Sequence, residues 1–230
     1  GLFGDVSNSA GICNLGLNGG SIKGNSCVGG LVGSLAGNLT NCYNTAEIEG
    51  NSNDVGGLVG YMSGGELRSC YNTAEVKGNS YVGGLTGCMN GRSLSSVYNT
   101  GSITGQSYVG GISGGGSSSL SHVYYVYNTG SVTAADSSWA GAIVGGNETT
   151  VQDACWASDA GGNVTAALSG SSGAVVSATL SEMHHADTFR SFAGRNNASL
   201  LDTTGGQSRT WRIYEGRTTP LLKSFLTKAA

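Results

Sequence analysis

The sequence predicts an all-β fold: a right-handed parallel β-helix of about six coils with three short strands per coil, followed by a small C-terminal cap containing one short helix. Three observations predict it. The stretch Val82-Gly83-Gly84-Leu85-Thr86-Gly87 recurs at Val28 to Gly33, Val55 to Gly60 and Val109 to Gly114, and in weakened form at Ala140 to Gly145. A second stretch, Tyr98-Asn99-Thr100-Gly101-Ser102-Ile103, has counterparts beginning at Tyr43, Tyr71 and Tyr127, so these tyrosines stand 28, 27 and 29 residues apart. Such a period suits a stacked array and is too short for a domain. Aligning the units then places like residues in columns: Ile22, Ile48, Val76, Ile103 and Val132; Val28, Val55, Val82 and Val109; Leu31, Leu58, Leu85, Ile112 and Ile143. One unit cannot bury so few side chains alone, whereas stacking at about 4.8 Å joins them into a continuous core. The right hand is the general preference of parallel crossovers.

Residues 1–14 read as the tail of an incomplete unit. The opening Gly1-Leu2-Phe3-Gly4 matches the repeated Gly-Leu-Val-Gly, which suggests that the chain starts inside a repeat of a longer protein. From Leu15 onward each unit alternates three apolar stretches with Gly, Asn and Ser breaks, a strand-and-turn pattern with no room for a helix. Asn44, Asn72, Asn99 and Asn128 fall once per turn and would bond along the stack. The Gly-Gly pair before the Leu column marks a place where no Cβ fits. Cys13, Cys42 and Cys70 share a position that Val97 and Val126 also fill and to which Cys155 returns, so it is read as a buried apolar slot. Cys27 aligns with Tyr81 and Tyr108, and Cys88 with Ser34 and Tyr61, so these two are read as exposed singles, and all six cysteines as free thiols.

The regularity decays after His122-Val123-Tyr124-Tyr125-Val126, and Trp156 is expected to take the tyrosine position after Cys155. The repeats are assigned to residues 1–165 and the cap to 166–230. Within the cap, Thr179-Leu180-Ser181-Glu182-Met183 signals a helix running to about Ala193. A polar loop through Gly206, a strand at Trp211 to Tyr214, a turn at Glu215 to Arg217 and Pro220-Leu221-Leu222 follow. An aromatic-bearing tail of this kind would cover the open end of a β-helix, whose backbone is otherwise unpaired.

Composition narrows the function. Forty-one glycines and 11% charged residues could signal low complexity, but the glycines are periodic and β-branched residues are plentiful. A net charge of −3 with scattered Lys and Arg offers no footprint for nucleic acid. No apolar window of about 18 residues is present, so no membrane insertion is expected. Cys-x-x-Cys and His-Glu-x-x-His are missing, and Glu182 with His185 is read as a solvated helix face, so no metal is assigned. Glu47 over Glu75, beside Lys23, Glu49 and Lys77, is read as a charge ladder rather than a catalytic acid cluster. No catalytic residue and no cofactor are expected.

Two columns remain as candidate binding residues. Tyr43, Tyr71, Tyr98 and Tyr127 alternate with the buried Cys/Val slot and would stack outside the coil as flat amphipathic area for a glycan or protein. Stacking that merely stiffens the coil is the competing reading. Thr45, Thr73, Thr100 and Thr129 form a parallel hydroxyl column.

The Gly-Leu-Val-Gly at 30–33 and 57–60, with the Tyr-Asn-Thr-Gly-Ser-Ile/Val at 98–103 and 127–132, resembles the GLUG repeat of large bacterial surface proteins. Met183, Phe189 and the run from Trp211 to Leu222 resemble the closing segment of filamentous-haemagglutinin-like adhesins. The resemblance implies a secreted, cell-surface β-helix from a bacterium, acting as an adhesin or interaction module toward a host-surface glycan or protein. Since such families also include immunoglobulin A-cleaving metallopeptidases, it equally admits a spacer domain of a larger secreted enzyme. End-to-end self-association through the strand edge at Gly1 is a further expectation.

Overall fold

The computed structural model of the chain describes residues 1–90, 93–116, 121–146, 149–164, 175–189, 201–204 and 209–226. The repeats wind into a parallel β-solenoid of about five turns, one fewer than the period suggests. Each coil passes through four stacked sheets. Sheet I contains Phe3–Val6, Val32–Leu35, Val59–Met62, Thr86–Met89 and Ser113–Gly116. Sheet II rises from Gly11–Cys13 and Gly16–Leu17 to the long strands Ser93–Asn99, Ser121–Asn128 and Thr149–Ala157, and Val175–Ala178 forms its last rung. Sheet III contains Ser21–Gly24, Glu47–Gly50, Val76–Lys77, Ile103–Gly105 and Val132–Ala134. Sheet IV contains Val28–Gly29, Asn53–Gly56, Ser80–Gly83, Ser107–Gly110 and Ala140–Gly141.

Each coil is thus more finely divided than three strands. The division has a backbone cause: two columns of residues sit in the left-handed region, Asn14, Asn41, Ser69, Ser96, Tyr125 and Asp153 in one, Cys27, Asp54, Tyr81 and Tyr108 in the other. In the early coils the first column splits sheet II, leaving Asn38–Thr40 apart from Tyr43–Asn44 and Glu66–Arg68 apart from Tyr71–Asn72. From Ser93 onward the strand runs through it.

The interior is two apolar columns of residues separated by amides. The larger includes Leu31, Leu58, Leu85, Ile112 and Ile143 with Leu39, Leu67, Leu94, Val123 and Val151, and the smaller joins the Val28 and Ile48 columns. Between them stand Asn44, Asn72, Asn99 and Asn128, all buried. The first three donate from Nδ2 to the next rung's Oδ1, at 2.9 Å from Asn44 to Asn72, 2.9 Å from Asn72 to Asn99 and 2.8 Å from Asn99 to Asn128, and Asn128 Nδ2 donates to the Ala142 carbonyl at 3.1 Å. Each Nδ2 also donates to the carbonyl two residues on, and Oδ1 accepts the amide two residues on. The amides fit because the facing residue has no side chain: a Cβ on Gly57 would lie 2.6 Å from Asn72 Cγ and would overlap the Gly84 carbonyl oxygen.

Register corrects the cysteine alignment at both ends. Cys13 stacks on Thr40 and is exposed, while Leu15 occupies the slot below Cys42. Cys155 stacks on Tyr127 and Trp156 on Asn128, one residue out of the expected register, so Trp156 enters the core instead of extending the tyrosine column. Cys88 does pair with Tyr61, as aligned, but it is buried rather than exposed. The expected helix is two short 3-10 turns, Glu182–His184 and Ala186–Phe189; its remainder to Ala193 and the boundary at 165/166 lie outside the described residues.

Thr86, stacked on Val59 below and Ser113 above, has a buried hydroxyl with no hydrogen-bond partner, whereas the Ser113 hydroxyl donates to the Gly115 carbonyl. Thr86→Val keeps the shape and removes the unpaired group, so it should raise stability by about 1 kcal/mol, or roughly 2–4 °C in Tm for a chain of this size. Differential scanning calorimetry of the two proteins checks this.

Candidate functional site

The predicted tyrosine column exists. Tyr43, Tyr71, Tyr98 and Tyr127 stack with ring centroids 5.1, 5.0 and 4.9 Å apart and planes within 8° of parallel. In-register parallel strands impose this, because identical residues on successive rungs share one rotamer and one direction. The rings lie on the outside of sheet II, but the chain's own C-terminal segment lies over them. Trp211 packs at 6.0 Å from Tyr98 and 5.7 Å from Tyr127, Phe189 edge-on at 6.0 Å from Tyr127, and Phe225 edge-on at 4.8 Å from Tyr71 and 5.8 Å from Tyr43. Tyr127 is fully buried and Tyr98 is 8% exposed, whereas Tyr43 and Tyr71 remain partly exposed. Tyr127 donates its hydroxyl to the Pro220 carbonyl at 2.7 Å. Burial drives the phenol of Tyr127 well above the ordinary tyrosine range, and that of Tyr98 in the same direction.

The covering segment is itself a small sheet, with Leu201–Asp202 parallel to Trp211–Arg212 and Trp211–Arg212 antiparallel to Leu221–Leu222. Asp202 holds it together from inside. Its carboxylate is buried and accepts from Arg212 Nη1 at 3.2 Å, Lys223 Nζ at 3.1 Å and the Thr204 amide at 2.9 Å. The tail therefore closes the side of the solenoid along the tyrosines, while Val175–Ala178 supplies the final rung at its end.

The threonine column stays open in its middle. Thr73 and Thr100 are exposed, Thr129 is partly buried, and Thr45 Oγ1 is engaged with the Leu17 carbonyl and Asn18 Oδ1 while accepting from the Gly19 amide.

A second aromatic column lies at the corner that opens sheet IV. Tyr81 stacks on Tyr108 with centroids 4.4 Å apart and planes 12° from parallel, and Tyr108 stacks on Trp139 at 5.2 Å and 20°. Each is the residue just before the Val/Ala column, after Cys27 and Asp54 on the lower rungs. Trp139 is placed by the 3-10 turn Ser137–Trp139, which Asp136 caps by accepting the Ser138 amide at 3.0 Å. The signal was available in the alignment that matched Cys27 with Tyr81 and Tyr108; Trp139 escaped it because the Val-Gly-Gly-Leu stretch is degraded to Ala140-Gly141-Ala142-Ile143 there.

The remaining polar groups are structural in character. Lys23 pairs with Glu49 at 2.5 Å across a rung and Lys77 with Glu75, just before its own strand, at 2.8 Å, both on the exposed surface where such pairs contribute little. His185 Nδ1 lies 3.0 Å from Glu215, and Glu182 accepts from the Thr179 amide and hydroxyl. Among the described residues, no three His, Cys, Asp or Glu side chains converge on a common point that could hold a metal ion, and no helix is long and apolar enough to cross a membrane.

Comparison with known proteins agrees with the repeat. Residues 24–49 match the model of the GLUG motif, so the chain carries a GLUG-repeat region. A crystal structure of a Bacteroides ovatus protein, provisionally assigned as an immunoglobulin A1 protease, superposes with a TM-score of 0.64 at 18% identity, covering 93% of this chain and 69% of that one. At that identity the likeness is one of fold. A search of curated proteins finds no match.

Two outcomes follow from the burial pattern. Tyr127→Phe removes the hydroxyl that binds Pro220 and should cost about 1 kcal/mol, read as faster amide exchange in residues 201–226 with the solenoid amides unchanged. Burial holds the thiols of Cys88 and Cys155 up at about 12. Only the thiolate reacts, so their alkylation should be slow at pH 8 and rise about tenfold per pH unit up to pH 10, with exposed Cys13 labelled first. Mass spectrometry after timed iodoacetamide treatment distinguishes the sites.

Proposed function

We propose that this chain is a non-catalytic interaction module of a bacterial cell surface, a β-helix whose outer face contacts a host glycan or protein. The observation that carries this reading is the Tyr81, Tyr108 and Trp139 column, an aromatic stack on the outside of the coil with Trp139 36% exposed. Stacked tyrosine and tryptophan give rigid amphipathic area at small entropic cost, the usual material of recognition surfaces. The GLUG-repeat region and the solenoid support a surface role through the kinds of protein that carry such repeats. The likeness to the Bacteroides ovatus structure favours a second reading, in which the solenoid is a spacer within a larger secreted enzyme and contacts no ligand of its own.

The two readings separate by experiment. The purified chain, applied to an oligosaccharide array and to cultured epithelial cells, should show saturable binding on the first reading; absence of binding to both overturns it in favour of the spacer. Sedimentation velocity on the same sample tests end-to-end self-association through the exposed Leu2 and Phe3 of the first rung: a concentration-dependent rise in sedimentation coefficient is expected, and a constant monomer value refutes it.

A further inference from the structure

The corner that carries Tyr81 and Tyr108 is an expensive place for a tyrosine. Both have φ of +54°, in the left-handed region that Asn, Asp and Gly adopt readily and bulky side chains rarely do. The chain meets the same demand cheaply elsewhere: Asp54 precedes Tyr81 on the rung below, and the other left-handed column begins with Asn14 and Asn41. Backbone strain of this kind is held by the surrounding structure and gathers at functional sites, and Tyr125 at φ +56° is the other tyrosine that carries it.

The arrangement of the three rings indicates what they present. The centroids are 4.4 and 5.2 Å apart, the spacing that successive rungs impose, with planes 12° and 20° from parallel. Tyr81 and Tyr108 are partly exposed, and Trp139, at the end of the stack, is the most open of the three. On one side the rings adjoin glycine backbone, since an added Cβ on Gly115 or Gly146 would come within 3.6 Å of Tyr81 Cδ1 or 3.5 Å of Tyr108 Cδ1. Directly before the rings in the chain come Ser80 and Ser107, whose hydroxyls lie 3.2 Å apart, and before them the exposed Asn79 and Gln106. Charge is sparse beside the stack, with Asp54 below it and Asp136 at its upper end. Partly uncovered aromatic faces lined by uncharged hydroxyls and amides suit the C–H faces and hydroxyl rims of sugar rings better than the charged rim of a protein partner.

We propose that Tyr81, Tyr108 and Trp139, with Ser80 and Ser107 alongside, form a binding strip for a neutral oligosaccharide laid along the solenoid axis. This rests on the reading of the chain as an interaction module and names its ligand class. Trp139 and Tyr108 stack on sugar faces, and the serine hydroxyls and the Gln106 amide bond to the rim. The tyrosine column on sheet II takes no part, being occupied by Trp211 and Phe225.

The test uses an array of neutral and sialylated oligosaccharides, then titration of the best neutral hit followed by tryptophan fluorescence. Trp139 is the exposed tryptophan, whereas Trp156 and Trp211 are 9% and 0% exposed, so ligand should shift the emission to the blue. The double variant Y81N/Y108N should bind about tenfold or more weakly, as loss of aromatic anchors does, while its Tm stays level or rises because Asn relieves the left-handed strain. R68A, on the exposed face of sheet II, should bind as the parent does. Binding of neutral sugars that survives Y81N/Y108N overturns the strip but leaves the interaction module standing. Cell binding that is undiminished after enzymatic deglycosylation of the cells, with no neutral array hit, overturns the sugar and points to a protein. No binding to either overturns both.

Discussion

The solenoid depends on the amide ladder inside it. Four asparagines, Asn44, Asn72, Asn99 and Asn128, sit between two apolar columns where an unpaired polar group would cost a few kcal/mol each. They are admitted because their amides are bonded: Asn72 and Asn99 each make two bonds along the stack, Asn44 and Asn128 at the ends make one, and all four also bond to the backbone two residues on. This ties every rung to the next at a fixed register, since a slip by one residue would leave a row of buried amides without partners. The glycines of the Gly-Gly pair are the other half of the device, because a Cβ there would occupy the volume that the amide fills. Where the ladder ends, the repeat degrades: Leu17 stands below Asn44 and Trp156 above Asn128.

A fixed register inside imposes columns outside. Two of them are aromatic, and their fates differ for reasons of neighbourhood. The Tyr43 to Tyr127 column projects from the flat of sheet II, where a small sheet pinned by buried Asp202 can lie against it and Tyr127 can reach the Pro220 carbonyl. The Tyr81 to Trp139 column projects from the corner before sheet IV, away from that small sheet, and Trp139 stays 36% exposed. The same stacking physics yields a docking strip for the chain's own tail in one case and an open surface in the other.

Much of the fold was legible in the residues because repetition multiplies weak signals. The Ile22, Val28 and Leu31 columns are core columns, and Gly-Leu-Phe-Gly at the start pairs in register with the first repeat, Phe3 opposite Val32. Legibility failed at the edges of the periodicity. Cys155 and Trp156 imitate the Cys-Tyr of earlier units, yet Thr149–Ala157 enters sheet II one residue further along, which puts Cys155 opposite Tyr127. The flanking loop lengths set that register, and they carry no periodic mark. Cys13 misleads in the same way at the other end. The aromatic corner was half visible, since Tyr81 and Tyr108 fell into one aligned position while Trp139 did not.

By itself the sequence determined that the chain is a stack of parallel coils, which columns of the regular units face inward, and that an amide ladder and side-chain columns run through those units. Period, alternation and glycine placement are local properties, and stacking repeats them without new information. Only the tertiary structure decided which outer column is covered. The tail that buries Tyr98 and Tyr127 has no periodic relation to them, and its contacts span about ninety residues through side chains such as Tyr127 and Pro220, whose meeting no local pattern encodes.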